Sequence, residues 1–299
     1  MTAEIPIVIP ARSRSARMEN WGRAFYRFRQ SWLSMIGLTI VVALVLIAIF
    51  APYIVPFPEH VVGGTNTASR FQPPSSSAWF GTNELGQDVF SLVLVGSRIS
   101  LFSGLAVVVI AVVFGTAVGA IAGYFGGWID EVLMRITDLL LTIPSLILAM
   151  AVAAALGSGV FNMIIAISIT WWPAYARLVR GEVIGKKEEQ FVVAAHALGA
   201  GSARILGRHI LPNIVSPIVV KASLDMGFAI LTVASLGFVG IGVKPPTPEW
   251  GTLLSGARSY LPDYWWTAVA PGLAIFLAVL AFNLLGDGLR DVLDPKARR

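Results

Sequence analysis

The run Leu101–Tyr124, LFSGLAVVVIAVVFGTAVGAIAGY, holds 24 residues without one charged side chain. As a helix rising 1.5 Å per residue it covers about 36 Å, more than the ~30 Å of bilayer hydrocarbon. In water such a helix would need burial on every face, which a soluble domain of this size does not provide. The run therefore reads as a membrane span. Five further apolar runs flank it: Leu33–Ala51, Leu139–Leu156, Val160–Ala176, Ile214–Ile241 and Thr267–Leu285. The expected fold is an all-α polytopic membrane protein with six transmembrane helices. The composition agrees, with 56% hydrophobic and 13% charged residues against about 25% charged in soluble domains.

The net charge is +5, and its placement decides what it means. Of the 22 basic residues, 17 fall in residues 1–32, 125–138, 177–212 and 286–299. The alternate connections hold Arg70, Arg98, Lys244 and Arg258, and Lys221 lies within the fifth run. By the positive-inside rule both termini are cytoplasmic. Trp32, Trp171 and Trp172 then fall near the inner interface, and Trp265 and Trp266 near the outer one. Basic blocks alternating with apolar spans argue against nucleic acid as the partner; lipid is the surroundings implied. The first run, preceded by a 32-residue tail with six arginines, reads as an uncleaved signal-anchor. The chain divides into a tail (1–32), a first span with an outer loop (33–96), a core (97–286) with a cytoplasmic loop at 177–212, and a tail (287–299).

Little in the chain suits catalysis. There is no cysteine, so disulfide and thiolate chemistry are excluded. His60, His196 and His209 are dispersed, without metal-ligand spacing. The stretch Gly181–Lys187, GEVIGKK, imitates a phosphate-binding loop, but has three residues between its glycines and a second lysine where Ser or Thr would bind Mg²⁺. No catalytic residue, metal site or cofactor is expected in this chain.

The cytoplasmic loop is patterned. In EEQFVVAAHAL (188–198), Phe191, Ala195 and Leu198 recur at i, i+4 and i+7, which predicts a helix with one apolar face. Glu188 and Glu189 suit its positive end, and Gly199 suits its stop. Ser202 is placed to cap a second short helix, with Arg204 and Arg208 on one face and Pro212 at its end. Spacing alone leaves two uses for the apolar face: docking on the protein's own span ends, or on a partner.

The residues AAHALGAGSARILGRHILPN (194–213) resemble the cytoplasmic coupling motif of ABC importer permeases, with Ala194-Ala195, Gly199 and Leu211-Pro212 at its spacing. Where that motif carries glutamate, this chain has Val193. FGTNELGQDVFSLVLVGSRISL (80–101), YARLVRGEV (175–183), SLGFVGIGVKPPTPEWG (235–251) and LAFNLLGDGLRDVLDP (280–295) are likewise similar to the dipeptide, oligopeptide and nickel permeases, specifically the second of their two paired permeases. The resemblance implies a type I ABC importer transmembrane domain in the bacterial inner membrane. It also implies four kinds of partner contact: a related second permease, two ATP-binding subunits that hold the ATP and Mg²⁺, an extracytoplasmic binding protein, and lipid. It places the ATPase contact at Phe191, Val193, Ala194, Ala195, Leu198, Gly199, Ala200 and Pro212. Short peptides are the implied cargo, with nickel, glutathione, opines or sugars as alternatives. A secondary transporter or channel is the competing class.

Within the spans, Gly115, Gly119 and Gly123 form a small-residue stripe expected to pack inside this chain. Pro144 and Pro217 are candidate bends. Lys221 and Asp225, four residues apart near mid-membrane, are too costly to face lipid, at ~2.5–3.5 kcal/mol for an unpaired charge. They neutralise each other at a subunit contact or lie on the substrate pathway. The segment 243–266, with Pro245, Pro246, Pro248 and Trp250, is too rich in proline for one continuous helix and is expected to fold over the outer mouth.

Overall fold

A computed structural model describes Tyr26 and residues 28–293. The tail read over 1–32 lies almost wholly outside the described residues, as do residues 294–299. Helices α1 (Trp32–Ile54), α2 (Pro58–Val61), α3 (Val89–Phe125), α4 (Gly127–Thr142) and α5 (Ser145–Leu156) are followed by α6 (Val160–Lys187), α7 (Gln190–Ala197), α8 (Leu211–Val239), α9 (Trp250–Ala257) and α10 (Trp266–Leu293). Among the described residues the β content is a single bridge between Thr82 and Asp88.

Four helical runs are long and apolar enough to cross a membrane, and the bent pair α4–α5 counts as a fifth. The 28-residue α6 stands outside that set. Asn162, Trp171, Trp172 and Tyr175 dilute its apolar half, and Arg177, Arg180 and Lys186 follow.

Several boundaries differ from the hydropathy reading. The second run begins twelve residues early, at Val89 and not Leu101, because Asp88 caps it: its carboxylate accepts from Ser91 N at 2.7 Å and Ser91 Oγ at 2.6 Å. Arg98 and three serines (Ser91, Ser97 and Ser100) interrupt the apolar run, but not the helix, whose 37 residues extend about 55 Å. The fourth run likewise continues past Ala176 to Lys187, since Arg, Glu and Lys are good helix formers. The last helix runs to Leu293, so the first part of the tail read over 287–299 is helical.

The third run is not one helix. Ile143 is extended (φ −90°, ψ 130°), Pro144 starts the next helix, and α4 and α5 meet at 93°. Proline lacks the N–H that would continue the ladder and pushes the preceding residue out of the helical region. The bend foreseen at Pro144 is therefore a complete break.

The glycine stripe explains the closest helix pair. A Cβ on Gly115 would stand 2.5 Å from the Trp172 carbonyl and 2.6 Å from Tyr175 Cβ, and one on Gly123 would stand 2.8 Å from the Arg180 carbonyl. Gly119 would collide with the Ala176 carbonyl. The stripe thus seats α6 directly on α3 within the chain, as its spacing predicts. Around this pair the main core gathers Val107, Met163, Ile167, Ile230, Trp250 and Ala278. A second cluster, of Tyr124, Val179, Val183, Val192, Ile205 and Ile210, closes the end of the bundle where α3 and α6 finish.

Candidate functional site

That second cluster positions α7. Glu189 precedes the helix with extended backbone, its carbonyl accepting from Val192 N at 2.9 Å and Val193 N at 3.2 Å. Its carboxylate turns back to Lys186 Nζ at 2.5 Å. At the other end Ala200 N donates to the Ala195 carbonyl (3.1 Å) and Gly199 N to the His196 carbonyl (2.9 Å). This is the six-to-one and five-to-two pair of a Schellman stop, with Gly199 at φ +79° as the stop requires. Gly199 therefore ends the helix as its sequence position predicts.

The buried face differs from the predicted one. Val192 is 4% exposed and docks on the cluster with Ala195 and Ala200. Phe191, Val193, Ala194 and Leu198 face outward, Val193 at 57% and Leu198 at 88% exposure. The expected face of Phe191, Ala195 and Leu198 is split: Ala195 turns inward with Val192, three residues before it, while Phe191 and Leu198 face out. One face of the helix docks on this chain, and the opposite face is uncovered among the described residues.

The chain after α7 also departs from expectation. Gly201, not Ser202, takes the N-cap position of the next turn, and Ser202 makes no capping bond. Pro212 does not end that turn. Helical backbone runs unbroken from Ser202 to Val239, passing through a π-helical segment at Ile205–Ile210 in which Leu211 N donates to the Leu206 carbonyl. The wider π turn accommodates Pro212, which can donate to nothing, at the start of α8.

Lys221 and Asp225 form the predicted pair, Nζ to Oδ2 at 2.9 Å. The ammonium also lies 5.0 Å from the ring centre of Tyr175 on α6, a cation–π distance. The Tyr175 hydroxyl is buried and has no hydrogen-bond partner among the described residues. At the α7 end, Arg180 holds Asp130 in a bidentate pair (2.5 and 2.6 Å) and Arg177 reaches Asp138 at 2.6 Å, tying α4 to α6. These two pairs were not foreseen, since nothing in the spacing links residues about 40–50 positions apart.

At the opposite end, Glu249 is fully buried. Its Oε1 accepts from Ser100 Oγ (3.0 Å) and Gly251 N (2.9 Å), and its Oε2 from Thr252 N (2.9 Å) and Thr252 Oγ1 (3.2 Å). Trp250 completes the joint, its backbone N–H bonded to Ser100 and its indole N–H to the Val93 carbonyl at 2.9 Å. Burial pushes the Glu249 carboxyl up, and the N–H groups of Gly251 and Thr252 oppose the shift. Glu249→Ala leaves several buried donors unmet at about 1–3 kcal/mol each. It is expected to lower thermal stability in detergent by at least about 2 kcal/mol, and Ser100→Ala by about 1. Equal melting temperatures for Glu249→Ala and wild type would refute the joint. The proline-rich segment 243–266 is thus not one helix, as expected, but it contains α9, fastened to α3.

Residues 115–299 match the family described as binding-protein-dependent transport system inner membrane component. The chain belongs to that family. Residues 19–74 of this permease match a second description, the N-terminal TM domain of oligopeptide transport permease C. Curated relatives align over nearly the whole permease. The dipeptide transport system permease protein DppC of Alkalihalophilus pseudofirmus is 44% identical over 298 residues, 100% of this chain and 97% of its own length. The probable D,D-dipeptide transport system permease protein DdpC of Escherichia coli is 44% identical over 93% of this chain and 92% of its own. The glutathione transport system permease protein GsiD of Pectobacterium atrosepticum is 43% identical over 100% and 97%. The family resemblance carried by the quoted motifs therefore holds, and the permease is a multi-pass component of an inner membrane transport system.

Proposed function

We propose that this chain is one half of the translocation pore of an ATP-driven importer of short peptides, with six spans and both termini in the cytoplasm. The fourth span is α6 and the broken pair α4–α5 is the third. The chain pairs with a related permease, takes cargo from an extracytoplasmic binding protein, and leaves ATP binding and hydrolysis to two partner subunits. Glutathione, itself a peptide, is the nearest alternative cargo, since relatives named for dipeptide and for glutathione transport are equally similar.

The observation that carries this reading is α7: a short helix stopped at both ends, one face locked into the bundle, and Phe191, Val193, Ala194 and Leu198 uncovered. An ATPase subunit covering that face gains apolar burial there. Nucleotide-driven movement then passes through Val192 into Val179 and Val183 of α6 and Ile205 and Ile210 ahead of α8. The two helices that transmit it contribute to the path, which opens alternately to either side. The test is reconstitution of this chain in liposomes with its sister permease, ATPases and binding protein. ATP-dependent accumulation of a labelled dipeptide is expected; solute movement by this chain alone, without ATP, would replace the importer with a secondary transporter.

Lys221 and Asp225 are assigned a structural role here. The support is their 2.9 Å pairing and the seat of the ammonium over Tyr175. Asp225→Asn strands Lys221, so uptake of cationic, neutral and anionic peptides is expected to fall together, in step with the amount of folded chain. A loss confined to cationic peptides would instead place Asp225 on the pathway.

A further inference from the structure

Among the described residues, two of the cavities differ in chemistry. The larger, about 1250 Å³, lies among α1, α3 and α8 and is lined by hydrocarbon apart from Arg98, Ser223 and Thr247. The smaller, about 570 Å³, lies at the end of the bundle opposite α7, between the turn before α3, the close of α8 and helix α9. Its size falls within the ~300–1,000 Å³ of small-molecule sites. Its lining contains two charged residues, Glu84 and Lys244.

Their state is informative. Among the described residues neither side chain makes an ion pair or a hydrogen bond, whereas Asn83, Gln87 and Thr252 of the same lining do. Asn83 bonds Gln87 at 2.9 Å, Gln87 bonds the His60 and Gly64 carbonyls, and the Thr252 hydroxyl proton is shared between the Val243 carbonyl (3.1 Å) and the Glu249 carboxylate (3.2 Å). Glu84 is held over α9, its Oε1 lying 3.3 Å from where a Cβ on Gly256 would stand. The cavity thus offers one free carboxylate, one free ammonium and an apolar floor of Val89, Leu92 and Leu253. A ligand with one charge would engage one group and leave the other to water. A zwitterion satisfies both, each through a charge-assisted hydrogen bond.

We propose that this cavity is an entry site for short peptides, in which Glu84 receives the free α-ammonium, Lys244 receives the free α-carboxylate, and side chains rest on the Val89–Leu92–Leu253 floor. The inference rests on the importer reading and adds to it a site within this subunit. It makes specificity a property of both ends of the cargo and of no particular side chain. Glu84 is partly exposed and Lys244 is exposed at the rim of the cavity, so replacing either leaves the core untouched.

The test uses the full chain in nanodiscs and labelled trialanine, compared with Nα-acetyl-trialanine and trialanine amide. Wild type is expected to bind trialanine saturably, and each capped peptide at least about tenfold more weakly, the worth of one charge-assisted bond. Glu84→Gln should weaken trialanine about tenfold and leave the acetylated peptide unchanged, and Lys244→Gln should do the same with respect to the amide. Equal binding of capped and uncapped peptides, or unchanged binding by both variants, overturns the site. So does absence of peptide binding combined with release of the binding protein by Glu84→Lys or Lys244→Glu, which would make the two charges docking contacts. ATP-driven uptake by the reconstituted importer separates the two levels. Uptake unaffected by both variants removes the site and leaves the importer; no uptake by wild type removes the importer itself.

Discussion

Leu198→Asp is expected to detach the ATPase subunits from the assembly while the sister permease stays bound. Leu198 is 88% exposed at the end of α7, so the substitution costs the fold of this chain almost nothing. Under an ATPase subunit the same carboxylate would lose its water without gaining a partner, at several kcal/mol. Truncations at the centre of an interface cost about 2 kcal/mol or more, and a buried charge exceeds that. Affinity should therefore fall at least about 100-fold, and ATP-driven uptake with it. Val193→Asp, at a 57% exposed position, should act in the same direction. Ala195→Asp and Gly199→Asp are poorer probes: the first places a charge against the inner cluster, and the second strains a residue held at φ +79°. Co-purification in detergent reads the outcome. Retention of the ATPases and full uptake by Leu198→Asp would remove α7 from the contact.

Gly119→Leu is expected to abolish the fold. A side chain at this position has no room, because even its first carbon would overlap the Ala176 carbonyl. Overpacking in ordinary cores costs about 1–3 kcal/mol, much of it relieved by side-chain movement. Here the obstacle is backbone, so α3 and α6 must separate and the contacts of Gly115 and Gly123 go with them. The variant should be degraded in the membrane or elute aggregated in detergent, with Gly119→Ala intermediate. Gly181→Ala on α6, where a Cβ meets nothing within 4 Å, should be neutral or stabilise by up to about 1 kcal/mol. Wild-type yield and elution for Gly119→Leu would show that α3 and α6 do not pack as described.

The contrast between those two glycines marks what can be read from the chain. A stripe at 115, 119 and 123 announces a close helix contact in lipid, and the first span at both ends and the last at its start lie within a few residues of their hydropathy limits. Where a charge or serine enters a helix, hydropathy stops and the helix does not, which is why the start of α3 and the end of α6 were placed wrongly. The inward face of α7 depends on Val179, Val183 and Ile210, which arrive from other elements, so periodicity within the helix could not orient it. Glu249 was invisible for a different reason. Glutamate is not among the favoured N-cap residues, and its partner Ser100 lies 149 positions away. A buried acid in a proline-rich connection has no local signature.

The break at Ile143–Pro144 has a mechanical meaning. Bending the continuous α3 would stretch or break ladder hydrogen bonds at about 0.5–1.5 kcal/mol each, so α3 acts as a stiff rod. Between α4 and α5 the ladder is already open, with Ile143 extended and Pro144 lacking an N–H, and a further change of angle there sacrifices no such bond. With Asp130 and Asp138 clamped to Arg180 and Arg177, α4 is geared to the α7 end of α6 and α5 is not. The chain thus carries a rod and a joint side by side, and α4 follows α6 while its angle to α5 stays free to change.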